Sequence, residues 1–383
     1  MRWSESFIFT LKEAPKDAET VSQRLMHQAG MIDKVASGIY TFLPSGLAVL
    51  QKISAIIRKH LNACGCQEIL MPALQPASLW EESGRWGKMG QDMITFKDRH
   101  ERRLLLGPTH EEVVSDLVRK YVKSGKHLPV ILYQIQTKFR DEIRPRFGII
   151  RAREFLMKDA YSFDMTDKDS ESSYQTMRDA YIKIFAECGL SVEVQAADSG
   201  VIGGKFSEEF VASGECAELE VGHIFKLGTE YSKKMKVLFT DSDGTLKPVV
   251  MGCYGIGVSR ILSAVIEGNY DKAGIIWPFS LAPWHATLIP INTANSAMME
   301  AAMNLHDSLV QTGWNLLLDD RKESAGVKFA DADLLGIPIR IVFGKKLSEG
   351  KVEIKMRNKS NAQDIPLEGL ELFLRDTARN ASV

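Results

Sequence analysis

An α+β domain built on an antiparallel sheet, followed by a small α/β domain, is the architecture that this 383-residue chain predicts. Three observations predict it. Strand-like pieces recur from residue 192, through "VEVQAAD", "HIFKLG", "KVLFTDSDG" and "LKPVVMGCYG", with few helical stretches between them, the pattern of strands paired by short connections. The texture then changes at "WPFSLAPWH", 277 to 285, where two prolines follow an apolar stretch. Beyond that point strand and helix alternate, over roughly the ~100 residues of an ordinary small domain.

In chain order, residues 46–62, "GLAVLQKISAIIRKHLN", repeat Leu47, Leu50, Ile53, Ile56, Ile57 and Leu61 at helical spacing. "QEILMPALQP" follows as a short strand ending at Pro72. Residues 167–189 read as a second helix, closed by Gly189. We divide the chain at 278, with 1–278 and 279–383 as its two domains. In the second, "HATLIPIN" is a strand and "AMMEAAMNLHDSLV" a helix with Met298, Ala302, Leu305 and Leu309 on one face. Strand "WNLLLDD", helix "GVKFADADLLG", strands "IPIRIVFG" and "KVEIKMR" and helix "LEGLELFLRDTAR" complete it.

Composition excludes little: 45% apolar, 25% charged, formal net charge -1. No global field marks a nucleic-acid partner, although a balanced chain can carry a local basic patch. Cys64, Cys66, Cys188, Cys216 and Cys253 are odd in number and lack a C-x-x-C pair, so neither a disulfide framework nor a zinc site is indicated. A reducing compartment is expected. No apolar run reaches the ~18 residues of a membrane span. The opening "MRWSESFIFTLKEAPKDAE" carries Glu5, Glu13 and Asp17 and reads as mature protein. His27, His60, His100, His127, His285 and His306 share no metal-ligand spacing.

The chemistry concentrates in "KFRDEIRPRFGIIRAREFLMKDAYSF", 138 to 163. Period-2 alternation puts Gln134, Gln136, Lys138, Arg140 and Glu142 on one strand face, and Arg153, Phe155, Met157, Asp159, Tyr161 and Phe163 on one face of the next. Pro145 and Gly148 break the chain between them. A solvated face with cross-strand ion pairs is the commoner fate of such a hairpin, but it would leave Phe155, Met157 and Phe163 in water. Fixed guanidiniums, a carboxylate and a ring suit a nucleotide: arginines for phosphates, a flat ring for the base. A second stretch, "VVMGCYGIGVSRILSAVIE", sets Gly252, Gly255 and Gly257 before an apolar helix with one early charge, Arg260. Alone it is a weak signal, equally a strand, a tight turn and a buried helix whose arginine reaches solvent.

Together these residues resemble the signature motifs of class II aminoacyl-tRNA synthetases, and in detail the bacterial-type prolyl-tRNA synthetases. "SGIYTFLPSGLAVLQKISAIIRKHLNACGCQEILMPALQP" is similar to the first motif, "FRDEIRPRFGIIRAREFLMKDAYSF" to the second and "MGCYGIGVSRILSAVIE" to the third. "LLLGPTHEE" resembles the amino-acid-recognition loop, "EVGHIFKLGTEYS" another family stretch, and "DDRKESAGVKFADADLLGIPIRIVFG" the anticodon-binding domain. The resemblance implies a catalytic α+β domain, its antiparallel sheet flanked by helices, dimerising through the first motif, and a C-terminal α/β anticodon-binding domain. It implies a cytoplasmic ligase that activates proline with ATP and Mg²⁺ and charges tRNA(Pro). A non-catalytic synthetase-like binding protein and a synthetase for another amino acid are the alternatives.

Roles follow from the same resemblance. Arg140 would bridge the α-phosphate of ATP and the proline carboxylate, Glu142 would read the adenine amino group, and Arg151 would hold the γ-phosphate. Phe155 and Arg260 would sandwich the adenine, with Glu220 as Mg²⁺ ligand and His223 lining the nucleotide site. Thr109 and Glu111 would take the substrate ammonium, in a pocket completed by Met157, Asp159, Phe225 and Cys253. Asp320, Arg321, Lys328 and Asp333 match positions near the anticodon. Lys345, Lys346, Lys351, Lys355 and Arg357 are as readily a solvated face as phosphate contacts.

Many bacterial relatives carry an editing domain between the second and third motifs; here it is absent near 211–220, so no alanine editing in cis is expected. One departure lies nearby: "GGKFSEEF" puts Glu208 where the family has histidine, which would change the charge beside the proline pocket.

Overall fold

The computed structural model describes residues 1–213 and 218–381, and it divides into two compact units. Lys34–Tyr40 and Ile53–Ala264 form the larger; Met1–Asp33, Thr41–Lys52 and Val265–Val383 form the other. This division differs from a single cut at 278, because the N-terminal residues pack with the C-terminal third.

The larger unit holds a seven-stranded sheet: β1 (Gln67–Glu68), β2 (Val130–Phe139), β3 (Glu154–Asp164), β4 (Val192–Ala197), β5 (Phe206–Ala212), β6 (Leu219–Gly228) and β7 (Val250–Gly257), in the order β1-β2-β3-β7-β6-β5-β4. All neighbours are antiparallel except β1, whose two residues run parallel to β2. The helix expected over 46–62 is α1 (Pro44–Ala63), and the strand expected through Pro72 is much shorter. One face of the sheet carries an apolar core that includes Val114 and Val118 from helix α2 (Glu111–Tyr121), with Tyr161, Phe225, Met251 and Cys253 from the strands. Helix α3 (Asp167–Glu187) supplies Tyr181 and Phe185, which pack with Phe210 at 5.2 and 5.5 Å between ring centroids. A Cβ at Gly222 would approach the Phe185 ring to 2.9 Å, so glycine there sets how closely α3 packs. The Thr166 hydroxyl accepts from the Asp169 backbone N–H and starts α3.

β2 and β3 form the charged hairpin, in a register that places Gln134 opposite Asp159, Gln136 opposite Met157 and Lys138 opposite Phe155. The alternation read from sequence is this register. β7 then runs into helix α4 (Val258–Gly268) directly.

In the other unit a five-stranded sheet of β8 (Ala286–Pro290), β9 (Leu316–Leu318), β10 (Ile339–Phe343), β11 (Lys351–Met356) and β12 (Ala362–Pro366) has the order β9-β8-β10-β11-β12. β8 pairs in parallel with both neighbours and the rest pair antiparallel; β12 carried no clear sequence signal. Helices Ser296–Gln311 and Leu370–Ala381 contribute Ala302, Leu309, Leu370 and Leu374 to its core. Arg2 bridges Leu318 in parallel, and the Leu318 N–H donates to the Met1 carbonyl at 2.9 Å. Trp3, 3% exposed, lies under the Arg321 guanidinium at 3.6 Å. These contacts are why the N-terminus belongs with this sheet.

Candidate active site

β-strand alternation turns Phe155 and Met157 of β3, Cys253, Gly255 and Gly257 of β7, and His223 and Phe225 of β6 toward one cavity of about 300 Å³, wholly within the larger unit. Thr109, Glu111, Arg140, Glu142, Arg151, Glu220 and Arg260 also line it. Gly255 keeps the floor open, since a Cβ there would meet nothing nearer than 3.9 Å and would project among these groups.

At one end, Thr109 Oγ1 donates to Glu111 Oε2 at 2.7 Å and the Cys253 thiol to Glu111 Oε1 at 3.2 Å. Burial pushes that thiol well above its usual range, helped by Glu111, so it stays protonated and is no nucleophile. Glu111 and Glu112 open α2, where the helix dipole favours carboxylates. Both accept from Arg85 Nη1, at 3.1 and 3.0 Å. Burial pushes Glu112 up to about 6 against the pull of Arg85.

At the other end, Arg260 Nη1 donates to the Glu220 carbonyl at 2.9 Å, and Arg151 pairs with Glu142 at 2.8 Å. The hydrogen bond from Arg151 holds Glu142 below the usual carboxylate range. His223 stacks on Phe225 at 4.0 Å and reaches Glu220 Oε1 at 3.1 Å. Glu209, Glu220 and His223 bring ligand atoms within 4.8 Å of one another.

Arg140 lies in the same cavity. It follows the last residue of β2, its guanidinium 5.3 Å from the Phe155 ring centroid, and it makes no ion pair among the described residues. Burial, then the nearby Arg260, press its pKa below the ordinary arginine value, while Glu220 and Glu111 act to raise it. An unpaired, half-buried guanidinium facing a cavity is a prepared anion site.

Asp159 does not line the cavity. It shares the face, but its carboxylate is consumed by Lys138 at 2.7 Å, Gln134 at 3.0 Å and Tyr161 at 2.9 Å, and it is 2% exposed. The same lysine donates to His110 Nδ1 at 2.9 Å, and His110 Nε2–H donates to the Pro72 carbonyl at 3.0 Å, which fixes the tautomer. Burial and Lys138 hold His110 neutral, down to about 4. Glu208 is also away from the cavity lining: it accepts from Tyr174 at 2.8 Å and pairs with Arg178 at 3.4 Å, both on α3. The histidine-to-glutamate change therefore does not alter the charge of the pocket wall. Arg85 and the loop 198–202, which adds Asp198 to Ile202 to the lining, carry no periodic or motif signal in the sequence, and Glu112 lies inside "LLLGPTHEE" without a role of its own assigned there.

In the other unit the residues matched to anticodon positions are engaged internally. Asp320 accepts from Ser4 Oγ at 2.7 Å, Arg321 pairs with Asp319 at 2.7 Å and Asp331 at 2.9 Å, and Asp333 pairs with Arg340 at 3.3 Å. Lys328 is buried and donates to the carbonyls of Asp319 at 3.0 Å and Pro290 at 3.1 Å. Of the basic run, Lys346 pairs with Asp364 and Arg357 with Asp271, while Lys351 lies 3.6 Å from Glu349.

The family described as the tRNA synthetase class II core domain (G, H, P, S and T) matches residues 94–269, and the anticodon binding domain matches 285–377. The proline–tRNA ligase of Rickettsia akari is 42% identical over 427 residues, covering 98% of this chain and 100% of that protein. That of Syntrophus aciditrophicus is 36% identical over an alignment of 563 residues, with 98% and 97% covered. A solved Giardia lamblia prolyl-tRNA synthetase in complex with prolyl-adenylate superposes with a TM-score of 0.83 at 23% identity, covering 94% of this chain and 79% of that one. The Cryptosporidium parvum prolyl-tRNA synthetase complexed with halofuginone and AMPPNP gives 0.85 at 18% identity, covering 94% and 75%.

Proposed function

The chain belongs to the proline–tRNA ligases, class II aminoacyl-tRNA synthetases with a C-terminal anticodon-binding domain, and from that premise we propose how its cavity divides the work. It activates proline with ATP, releasing pyrophosphate, and transfers the prolyl group from the adenylate to tRNA(Pro). In the first step the nucleophile is a carboxylate, already ionised at neutral pH, so no general base is needed. The obstacle is repulsion between two anions, and positioning with electrostatics removes it.

The observation that carries the assignment is the unpaired guanidinium of Arg140, in one cavity with the Thr109–Glu111 end and the Glu142–Arg151 end. Arg140 bridges the α-phosphate and the proline carboxylate. Thr109 and Glu111 hold the ammonium, with Met157, Phe225 and Cys253 around the ring. Phe155 and Arg260 sandwich the adenine, Glu142 reads its amino group, Arg151 takes the γ-phosphate, and His223 lines the site. Mg²⁺ fits Glu220 and Glu209, whose oxygens suit a hard cation better than His223 does; bound there it would neutralise phosphate charge. Arg140→Lys tests the assignment. One point charge cannot bridge two anions bidentately, so proline-dependent ATP–pyrophosphate exchange should fall by about 10²–10³; near wild-type exchange would remove Arg140 from this role.

We further propose that the enzyme lacks alanine editing in cis. β5 and β6 pair down to Ala212 opposite Leu219, leaving only six residues between them, of which 214–217 lie outside the described residues, as does Cys216. The 563-residue alignment needed for the Syntrophus protein, against 427 for the Rickettsia one, supports a missing insertion. An apolar pocket rejects a smaller side chain by only ~1–3 kcal/mol per methylene, so alanine should be activated measurably. Purified enzyme should leave alanyl-tRNA(Pro) intact; rapid hydrolysis would refute this. The anticodon-binding-domain match over residues 285–377 supports anticodon recognition by the C-terminal region 279–383. Homodimerisation through the first motif is supported by Leu70 and Leu74, 77% and 47% exposed there. The four described cysteines are free thiols, which suits the cytoplasm, and no described helix is long and apolar enough to cross a membrane.

A further inference from the structure

We propose that Arg85 is the positioning residue that fixes the Glu111 carboxylate to receive the substrate ammonium, with Glu112 anchoring Arg85 from behind. The inference rests on the assignment of Glu111 to that ammonium. Consecutive helical residues point about 100° apart, so Glu111 and Glu112 do not share a partner by default. Here a single nitrogen of Arg85, Nη1, joins them: 3.1 Å to Glu111 Oε2, 3.0 Å to Glu112 Oε1 and 3.2 Å to Glu112 Oε2. The guanidinium lies over two rings, 5.0 Å from the Trp80 centroid and 5.3 Å from that of Tyr231. Ser83 Oγ donates to Glu112 Oε1 at 2.8 Å, which fixes the rear carboxylate. The Trp80 ring is itself tied to the pocket: its Nε1–H donates to Gln75 Oε1 at 2.8 Å, and Gln75 Nε2 donates to the Thr109 carbonyl at 3.0 Å.

The charge count gives the arrangement a purpose. Two buried carboxylates face one guanidinium, and the cluster is one positive charge short. Glu111 is the only carboxylate of the pair that lines the cavity, so a cationic ligand completes the cluster there. Arg85 thereby aligns Glu111 without cancelling its attraction for a cation.

The test separates the ammonium from the rest of the substrate. Steady-state exchange gives KM for proline and for ATP. Inhibition by tetrahydrofuran-2-carboxylate, which has oxygen in place of the ring nitrogen, reports the pocket without the ammonium. Arg85→Met should raise KM for proline about 10- to 100-fold, the range of a lost charge-assisted hydrogen bond. KM for ATP and inhibition by the oxygen analogue should hardly move, and Arg85→Lys should recover part of the loss. Equal losses for proline and the oxygen analogue, or no change in either, overturn the proposal. Should Arg85→Met not fold, Glu112→Gln decides: it keeps size and the Ser83 contact but leaves the cluster without its net negative charge. It must then raise KM for proline alone, and an unchanged value overturns the proposal. Glu111→Gln is the control. If it leaves KM for proline unchanged, the ammonium assignment itself fails; if it raises KM while the Arg85 and Glu112 variants do not, only the present inference fails.

Discussion

Replacing Asp159 by asparagine separates a structural carboxylate from a substrate-binding one. In the fold this carboxylate accepts from Lys138, Gln134 and Tyr161 at 2.7, 3.0 and 2.9 Å, with Lys138 entirely buried. Burial works to raise the pKa of Asp159, but the Lys138 charge, with hydrogen bonds from Lys138 and Gln134, overcomes it and holds the group below the ordinary carboxylate value. Asparagine keeps the shape and removes the charge. That leaves an ammonium buried beside a neutral His110, with Arg140 as another cation within electrostatic reach. Breaking a buried pair by deleting one partner typically costs about 3–5 kcal/mol, because the surviving charge is uncompensated. Urea unfolding of Asp159→Asn should show a loss of this order at neutral pH. The depressed carboxylate contributes stability that is complete above its unfolded pKa and lost as pH falls, so the gap to wild type should narrow in acid. A variant within about 1 kcal/mol of wild type but with a greatly raised KM for proline would refute this reasoning and return Asp159 to the pocket.

Three further outcomes test buried charge elsewhere, the activation chemistry and the missing editing step. Lys158 is fully buried against Tyr181 and the Tyr254 carbonyl, and burial lowers it to about 7. Its depressed folded value means the unfolded chain binds the extra proton below its own pKa of about 10.4. Stability should therefore rise with pH between about 7 and 10 by a few kcal/mol more in wild type than in Lys158→Met; parallel curves would show Lys158 charged throughout. Arg140→Lys and the alanyl-tRNA assay test the activation chemistry and the missing editing step respectively, through measurements that protein stability does not dominate.

Arrangements that local periodicity dictates were legible in the residues alone. The face shared by Gln136, Lys138, Phe155 and Met157 follows from side chains alternating along a strand, and the observed register preserves it. The glycine run ahead of Arg260 told where a strand turns into a helix, because that too is a short-range constraint. Asp159 obeyed the same alternation yet is covered, since Lys138 and Gln134 on the paired strand are spent on it and His110 packs in from outside the hairpin. Arg85 shows the opposite case. Nothing in "ESGRWGKMG" marks it, and only packing brings the Trp80 and Tyr231 rings against its guanidinium. The N-terminal segment was likewise free to lie anywhere until Trp3 met Arg321, more than three hundred residues away in the chain. Sequence by itself determined which residues share a face and which chemistry they offer. Tertiary structure decided which of those charges stay free to meet a ligand and which are spent on one another, because neutralisation depends on distance in space.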